Sequence, residues 1–193
     1  MSGSVYGMKV NQNGFTLLEI LIALALIGLL VGIVMPNLQR LMPQYERKQF
    51  IGRLNEILQF GWQQAIITHK ICKIIFDIDT RNVSLQIATD KKDRQGEQLF
   101  EPIKGQYLKT SFTWPDQFKF KQFFIEGFDE MSRFVGRKAA SVWFYVMPEG
   151  LAQDVIINIL DMKDLKNNKP REIGLVLNPF TAQLSVYDTF QKP

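Results

Sequence analysis

Cysteine is nearly absent: Cys72 is the only one among 193 residues. No intramolecular disulfide can form, which excludes a small disulfide-stapled scaffold. The ordinary place of a lone thiol is the core, as a small apolar side chain. Histidine is as scarce, with His69 alone, so a zinc site built on several histidines has no ligands to draw on. The chain has no phosphate loop, no G-x-S-x-G elbow and no H-E-x-x-H pair, the arrangements that phosphoryl transfer, serine hydrolysis and zinc proteolysis use. Charge is not concentrated either: 23 Lys and Arg stand against 19 Asp and Glu, a net +4. That excess is too small to argue for nucleic acid or anionic lipid as a partner. At 46% hydrophobic and 22% charged residues, the composition is that of a folded protein.

Long apolar runs are absent with one exception, from Phe15 to Met35, where Glu19 is the only charge. As a helix this run rises about 30 Å, the thickness of a bilayer core. It is apolar all round, so it reads as a membrane span rather than an amphipathic surface helix. Only Lys9 is basic before it, and Pro36-Asn37-Leu38-Gln39 follows it. An ordinary secretory signal has a shorter apolar region, a basic start and a small-residue cleavage site. Glu19 is the informative residue. A carboxylate in lipid is costly and usually has a partner and a function, and the first turn of a helix favours negative charge. If the chain were cut after Gly14, the new amino group on Phe15 would be a natural cationic partner.

The sequence Gly14-Phe15-Thr16-Leu17-Leu18-Glu19, followed by the apolar run, resembles the type III signal of type IV prepilins and pseudopilins. The resemblance implies a leader over 1–14, cleavage between Gly14 and Phe15 by a prepilin peptidase, and N-methylation of Phe15. It implies that Glu19 meets the N-terminus of a neighbouring subunit during filament assembly. It also implies a single-pass protein of the bacterial inner membrane, with a cytoplasmic N-terminus and a periplasmic globular domain. Arg40, Arg47 and Lys48 lie beyond the run, and charge counting alone would favour the opposite orientation; the cleavage motif outweighs it, because the peptidase acts in the cytoplasm. Met1 and Met8 are both candidate starts.

Helical spacing continues after the run, through Ile51, Leu54, Leu58, Trp62 and Ala65. The expected organisation is a span over 15–36, an amphipathic continuation over 37–69 and a β-rich domain over 70–193. Pro36 and Pro43 each remove a backbone donor, so a kink is expected there. After His69 the pattern turns to strands at 73–78, 83–87, 118–125, 142–146, 155–160, 173–177 and 184–187. The first two pair across a polar turn, and Asn178-Pro179 opens the turn between the last two. Polar loops are expected over Asp90–Gly105 and Asp161–Pro170. The fold class is α+β: a long helix packed on an antiparallel β-sheet domain.

The stretch Phe144-Tyr145-Val146-Met147-Pro148-Glu149-Gly150, then Ile157–Leu160, then Glu172–Tyr187, is similar to the GspH/FimT group of minor subunits. Arg171 takes the group's arginine position before the penultimate strand, while Phe180-Thr181-Ala182 departs from its usual last turn. This resemblance implies an H-type minor pseudopilin at the tip of a type II secretion pseudopilus. Its partners would be other pseudopilins, the peptidase and the inner-membrane assembly platform. The alternative is a minor pilin of a type IV pilus that contacts DNA in transformation. That requires gathered cations, and the candidates are Lys91, Lys92 and Arg94, and Lys163, Lys166, Lys169 and Arg171. Both groups are interspersed with carboxylates and read as solvated loops. Cys72 with His69, and Asp77 with Asp79 on one strand face, are read as structural. No enzyme activity, cofactor or metal is expected.

Overall fold

The computed structural model of the chain describes residues 16–103, 110–132, 140–166 and 168–193, with side chains at all of these except 33–41. It divides into two compact units, 1–42 and 43–193.

One α-helix, α1, spans Leu17–Thr68. Its first part is rich in Leu, Ile and Ala, strong or adequate helix formers. The helix assignment runs through both Pro36 and Pro43. It ends where His69 takes a left-handed conformation (φ 53°), a common way to terminate a helix. In the first unit the described side chains 17–32 are all exposed. Among the described residues no helix is long and apolar enough to cross a membrane.

The second unit holds the core. Strands β1 (Cys72–Asp77), β2 (Asn82–Lys92), β3 (Gln98–Pro102) and β4 (Ser111–Thr113) are followed by β5 (Phe118–Ile125), β6 (Phe128–Asp129) and β7 (Ser141–Val146). The chain closes with β8 (Val155–Lys166), β9 (Lys169–Leu177) and β10 (Leu184–Tyr187). One antiparallel sheet runs β3-β2-β1-β7, with β4 also on β2; the other runs β10-β9-β8-β5-β6. The α+β class stands, but with two sheets rather than one. Sequence periodicity marks strands without telling which of them pair, and β5 pairs with β8 across the intervening β6 and β7.

The inner faces of the sheets and one stripe of α1 make a single core. Phe50, Leu54, Ile57, Leu58 and Ala65 are buried on the helix, while Ile51 and Trp62 pack at its margin. Phe76 of β1 meets Phe123 of β5 edge-on with ring centroids 5.0 Å apart, joining the two sheets, and Phe50 stacks on Phe118 at 4.6 Å. Such pairs add to area burial because ring edges and faces carry opposite partial charge.

Several elements differ from expectation. The stretch expected as a loop over Asp90–Gly105 contains β3, which pairs with β2 through Gln86↔Pro102 to Ala88↔Phe100. The loop expected over Asp161–Pro170 is strand on both sides: β8 and β9 remain paired out to Lys166↔Lys169, past an irregularity between Asp161 and Leu165. Neither stretch has apolar alternation, because most of its side chains face solvent, Asp161 and Asp164 excepted; backbone pairing holds it.

Candidate processing and assembly site

Gly14 and Phe15 lie outside the described residues. The site is seen from Thr16 onward. Thr16 precedes the first helical residue, and its Oγ1 accepts a hydrogen bond from the Glu19 backbone N–H at 3.3 Å. The Glu19 carboxylate reaches back: Oε2 accepts from the Thr16 backbone N–H at 2.9 Å and from the Thr16 hydroxyl at 3.1 Å. Thr16-Leu17-Leu18-Glu19 is thus a reciprocal capping box, which satisfies backbone donors that the first turn leaves orphaned. Glu19 stands out in the sequence as the one charge in the apolar run, whereas Thr16 does not. The signal was present, since a Thr three residues before a Glu at the head of an apolar run is a helix-start signature. All the capping contacts fall on Oε2, so among the described residues Oε1 accepts nothing. A cut between Gly14 and Phe15 leaves the Thr16 amide intact, so the box survives it.

The remaining candidates are structural parts of the second unit. Cys72 opens β1 opposite Val146 and Ile87 and is fully buried. Burial pushes its thiol from 9.0 up to about 11, the opposite of what a nucleophilic cysteine needs. His69 closes the helix. Asp77 and Asp79 do not share a strand face, as β1 ends at Asp77 and Asp79 lies in the turn. Asp77 Oδ1 accepts the Thr80 N–H at 2.9 Å, and this turn contact holds its carboxyl below the usual range. Among the described residues no group of three His, Cys, Asp or Glu stands close enough to hold a metal.

The two basic groups lie on different sheets. Lys91 and Lys92 end β2, and Arg94 follows in the turn where Asp93 Oδ1 accepts the Gln95 and Glu97 N–H groups, each at 2.8 Å. Of the other group, Lys163 and Arg171 are drawn into ion pairs. Arg171 lies on the penultimate strand rather than before it. It pairs with Asp188 at 2.8 Å and Asp164 at 3.3 Å; Arg47 of α1 pairs with Asp164 at 2.7 Å, and Lys163 with Glu46 at 3.3 Å. The Asp188 carboxylate raises the Arg171 guanidinium, and Arg171 in turn holds Asp188 low. Beneath them Asp161 is fully buried, with Oδ1 accepting the Lys163 and Asp164 N–H groups.

A groove of about 610 Å³ in the second unit is bordered by Asp79, Arg81, Asp116 and Lys119. Asp116 pairs with Arg81 at 2.9 Å and with Lys119 at 2.5 Å. Its charges answer one another, and no nucleophile with a base and an orienting group lines it.

Residues 9–35 match the prokaryotic N-terminal methylation motif, a match that takes in Gly14, Phe15, Thr16 and Glu19. No curated protein matches the chain. Two solved structures of the minor pseudopilin EpsH from the type 2 secretion system of Vibrio cholerae are similar to it, at 14% and 16% identity. In both cases 77% of this chain is covered, with 99% and 97% of theirs, and the TM-score is 0.49.

Proposed function

We propose that the chain is a minor pseudopilin, a structural subunit at or near the tip of a type II secretion pseudopilus, and not an enzyme. The observation that carries this reading is the methylation motif over 9–35, with Glu19 fixed at the head of an apolar helix by its contacts to Thr16. In this reading residues 15–36 cross the inner membrane, the peptidase cuts between Gly14 and Phe15, and Phe15 is methylated. The globular unit stands in the periplasm, and Pro36 and Pro43 bend the helix between anchor and domain. During assembly the free oxygen of Glu19 receives the amino group of a neighbour's Phe15, while Oε2 keeps the capping box. An ion pair in an apolar filament core fixes register, because a one-turn slip would leave a charge unpaired.

The test separates processing from assembly. Glu19→Ala is expected to be cleaved and methylated, as read by the mass of the mature N-terminus, yet to be lost from the filament. Gly14→Glu is expected to remain uncut. Normal filament incorporation of Glu19→Ala would overturn the assembly role, and normal processing of Gly14→Glu would overturn the cleavage site. A deletion strain that traps exoproteins in the periplasm with normal pili fits secretion. Normal secretion with lost piliation or DNA uptake moves the protein to a type IV pilus.

A further inference from the structure

Strand β7 stands at the edge of its sheet, with β1 on one side only. The Ile78 N–H donates to the Ala140 carbonyl at 2.9 Å, which fixes the alternation along the β1–β7 ladder. Val142 with Phe76 and Phe144 with Ile74 are then hydrogen-bonded pairs, while Ser141, Trp143 and Tyr145 turn their N–H and C=O groups away from β1. At Tyr145 the chain itself meets those groups. Gln153 Oε1 accepts the Tyr145 N–H at 2.9 Å, and the Gln153 N–H donates to the Tyr145 carbonyl at 3.2 Å, next to the bridge between Val146 and Ala152. A further strand, antiparallel to β7, is thus begun. The chain then leaves it for the other sheet, where the Asp154 carbonyl accepts the Glu126 N–H and β8 starts at Val155. Ser141 and Trp143 are left on the vacated part of the edge, and among the described residues their outward N–H and C=O groups have no partner.

The other sheet edges are short or interrupted. Strand β3 ends on Glu101 and Pro102 and pairs with β2 through a register shift. Strands β4, β6 and β10 have three, two and four residues. Strand β7 has six, Ser-Val-Trp-Phe-Tyr-Val, with no proline, glycine or charge. Proteins blunt their edges with such residues, and an apolar edge that lacks them is a template for another strand. Beside this edge lies a groove of about 410 Å³, walled by Val142, Trp143 and Tyr145 of β7 and by Ile125 and Glu130.

Donor and acceptor recurring at every second residue, roughly 7 Å apart, are a repeat that extended polypeptide matches. We infer that the open edge of β7 accepts an extended segment of another protein as an added strand, in line with the place that Ala152 and Gln153 take beside Tyr145 and Val146. The residue opposite Val142 shares its inward face and enters the groove beside Ile125, so it is apolar. The residues opposite Ser141 and Trp143 lie on the solvent face, where polar side chains are accommodated. Main-chain bonds supply the affinity and the inward residue supplies the choice of partner. The site lies wholly within the second unit and does not depend on how the first unit is anchored.

The test uses the full chain in mild detergent and a capped hexapeptide of alternating threonine and valine as the probe. Amide hydrogen exchange is read residue by residue. The amides of Ser141 and Trp143 are expected to exchange freely in the protein alone and to slow about tenfold at saturating peptide, while those of β10 do not change. Ser141→Pro removes an outward N–H and no bond to β1, so it is expected to abolish the slowing at Trp143. Ser141→Ala and Trp143→Ala keep the main chain and are expected to retain it. Cys72 lies opposite Val146 of β7, so its resistance to thiol reagents checks that each variant still folds. A probe with N-methylated valines carries fewer donors and is expected to have no effect, a control that needs no variant. No slowing with the unmodified peptide would overturn the inference, as would equal slowing by the N-methylated one. Loss of the effect in Trp143→Ala with its retention in Ser141→Pro would overturn it in favour of an aromatic face contact. Slowing that grows with protein concentration in the absence of peptide would overturn it in favour of a second copy of this chain.

Discussion

At the residue scale two side chains of similar apparent interest separate by their surroundings. Glu19 is exposed and held by a local hydrogen-bonded box, which leaves one oxygen for a partner. Cys72 is sealed in the core. Its thiol, raised to about 11 by burial, keeps its proton in the folded state at pH values where the unfolded chain has lost it. The unfolded state then binds fewer protons, so stability falls as pH rises from about 9 towards 11. Below pH 9 this group contributes no pH dependence. The expected outcome is that thiol reagents at neutral pH label the chain only in denaturant. Cys72→Ala should remove that part of the alkaline loss of stability in urea titrations. Rapid labelling of the native protein would show the burial to be wrong.

At the scale of elements, the β8–β9 hairpin is the instructive case. Its inner half alternates apolar residues and was legible; its outer half reads as a charged loop and is nonetheless paired strand. Asp164 explains part of this, because its Oδ2 takes both Arg47 and Arg171, with 18% of its side chain exposed. Contacts between residues more than a hundred positions apart leave no mark in a local window. Asp164→Ala leaves Arg47 without its carboxylate and is expected to cost about 2–3 kcal/mol, below the full range for buried pairs because some solvent reaches it. A double-mutant cycle with Arg47→Ala should give a coupling of about 1–2 kcal/mol. Additive effects would show that the pair contributes nothing.

Asp161 behaves oppositely. Burial raises its carboxyl, the Lys163 and Asp164 N–H groups oppose that rise, and Oδ2 has no partner. A carboxyl with a raised folded-state pKa favours folding below the unfolded carboxylate range. It works against folding once pH climbs through that range. Asp161→Asn keeps an oxygen for the two N–H groups and removes the charge. It is expected to raise stability at neutral pH, with an advantage that shrinks in acid. Equal gains at both ends of a pH series of denaturant titrations would refute the account.

For the whole molecule, the order of one long helix and then strands was legible because period and composition change sharply after His69. The assignment of strands to two sheets was not. That choice is made by Phe76 against Phe123 and by the pairing of β5 with β8, contacts between distant segments. Part of the candidate site was readable in Glu19; its partner Thr16 needed the helix start to be located to the residue. The division at Met42 and Pro43 carries a final consequence. Among the described residues every buried core residue lies at Phe50 or beyond, and the ion pairs of Glu46 and Arg47 also fall inside the second unit. The hydrophobic contribution of this described core, roughly 25 cal/mol per Å² of buried apolar surface, is therefore made within 43–193. A fragment beginning at Pro43 is expected to fold without detergent. It should unfold in one cooperative transition, with the same denaturant midpoint as the full chain in mild detergent, because the described core lies wholly within the fragment. The measurement is a pair of urea titrations followed by tryptophan fluorescence, since Trp62, Trp114 and Trp143 all remain in the fragment. A fragment that aggregates, or whose midpoint falls well below that of the full chain, would mean that the apolar helix is a structural part of the domain rather than an anchor attached to it.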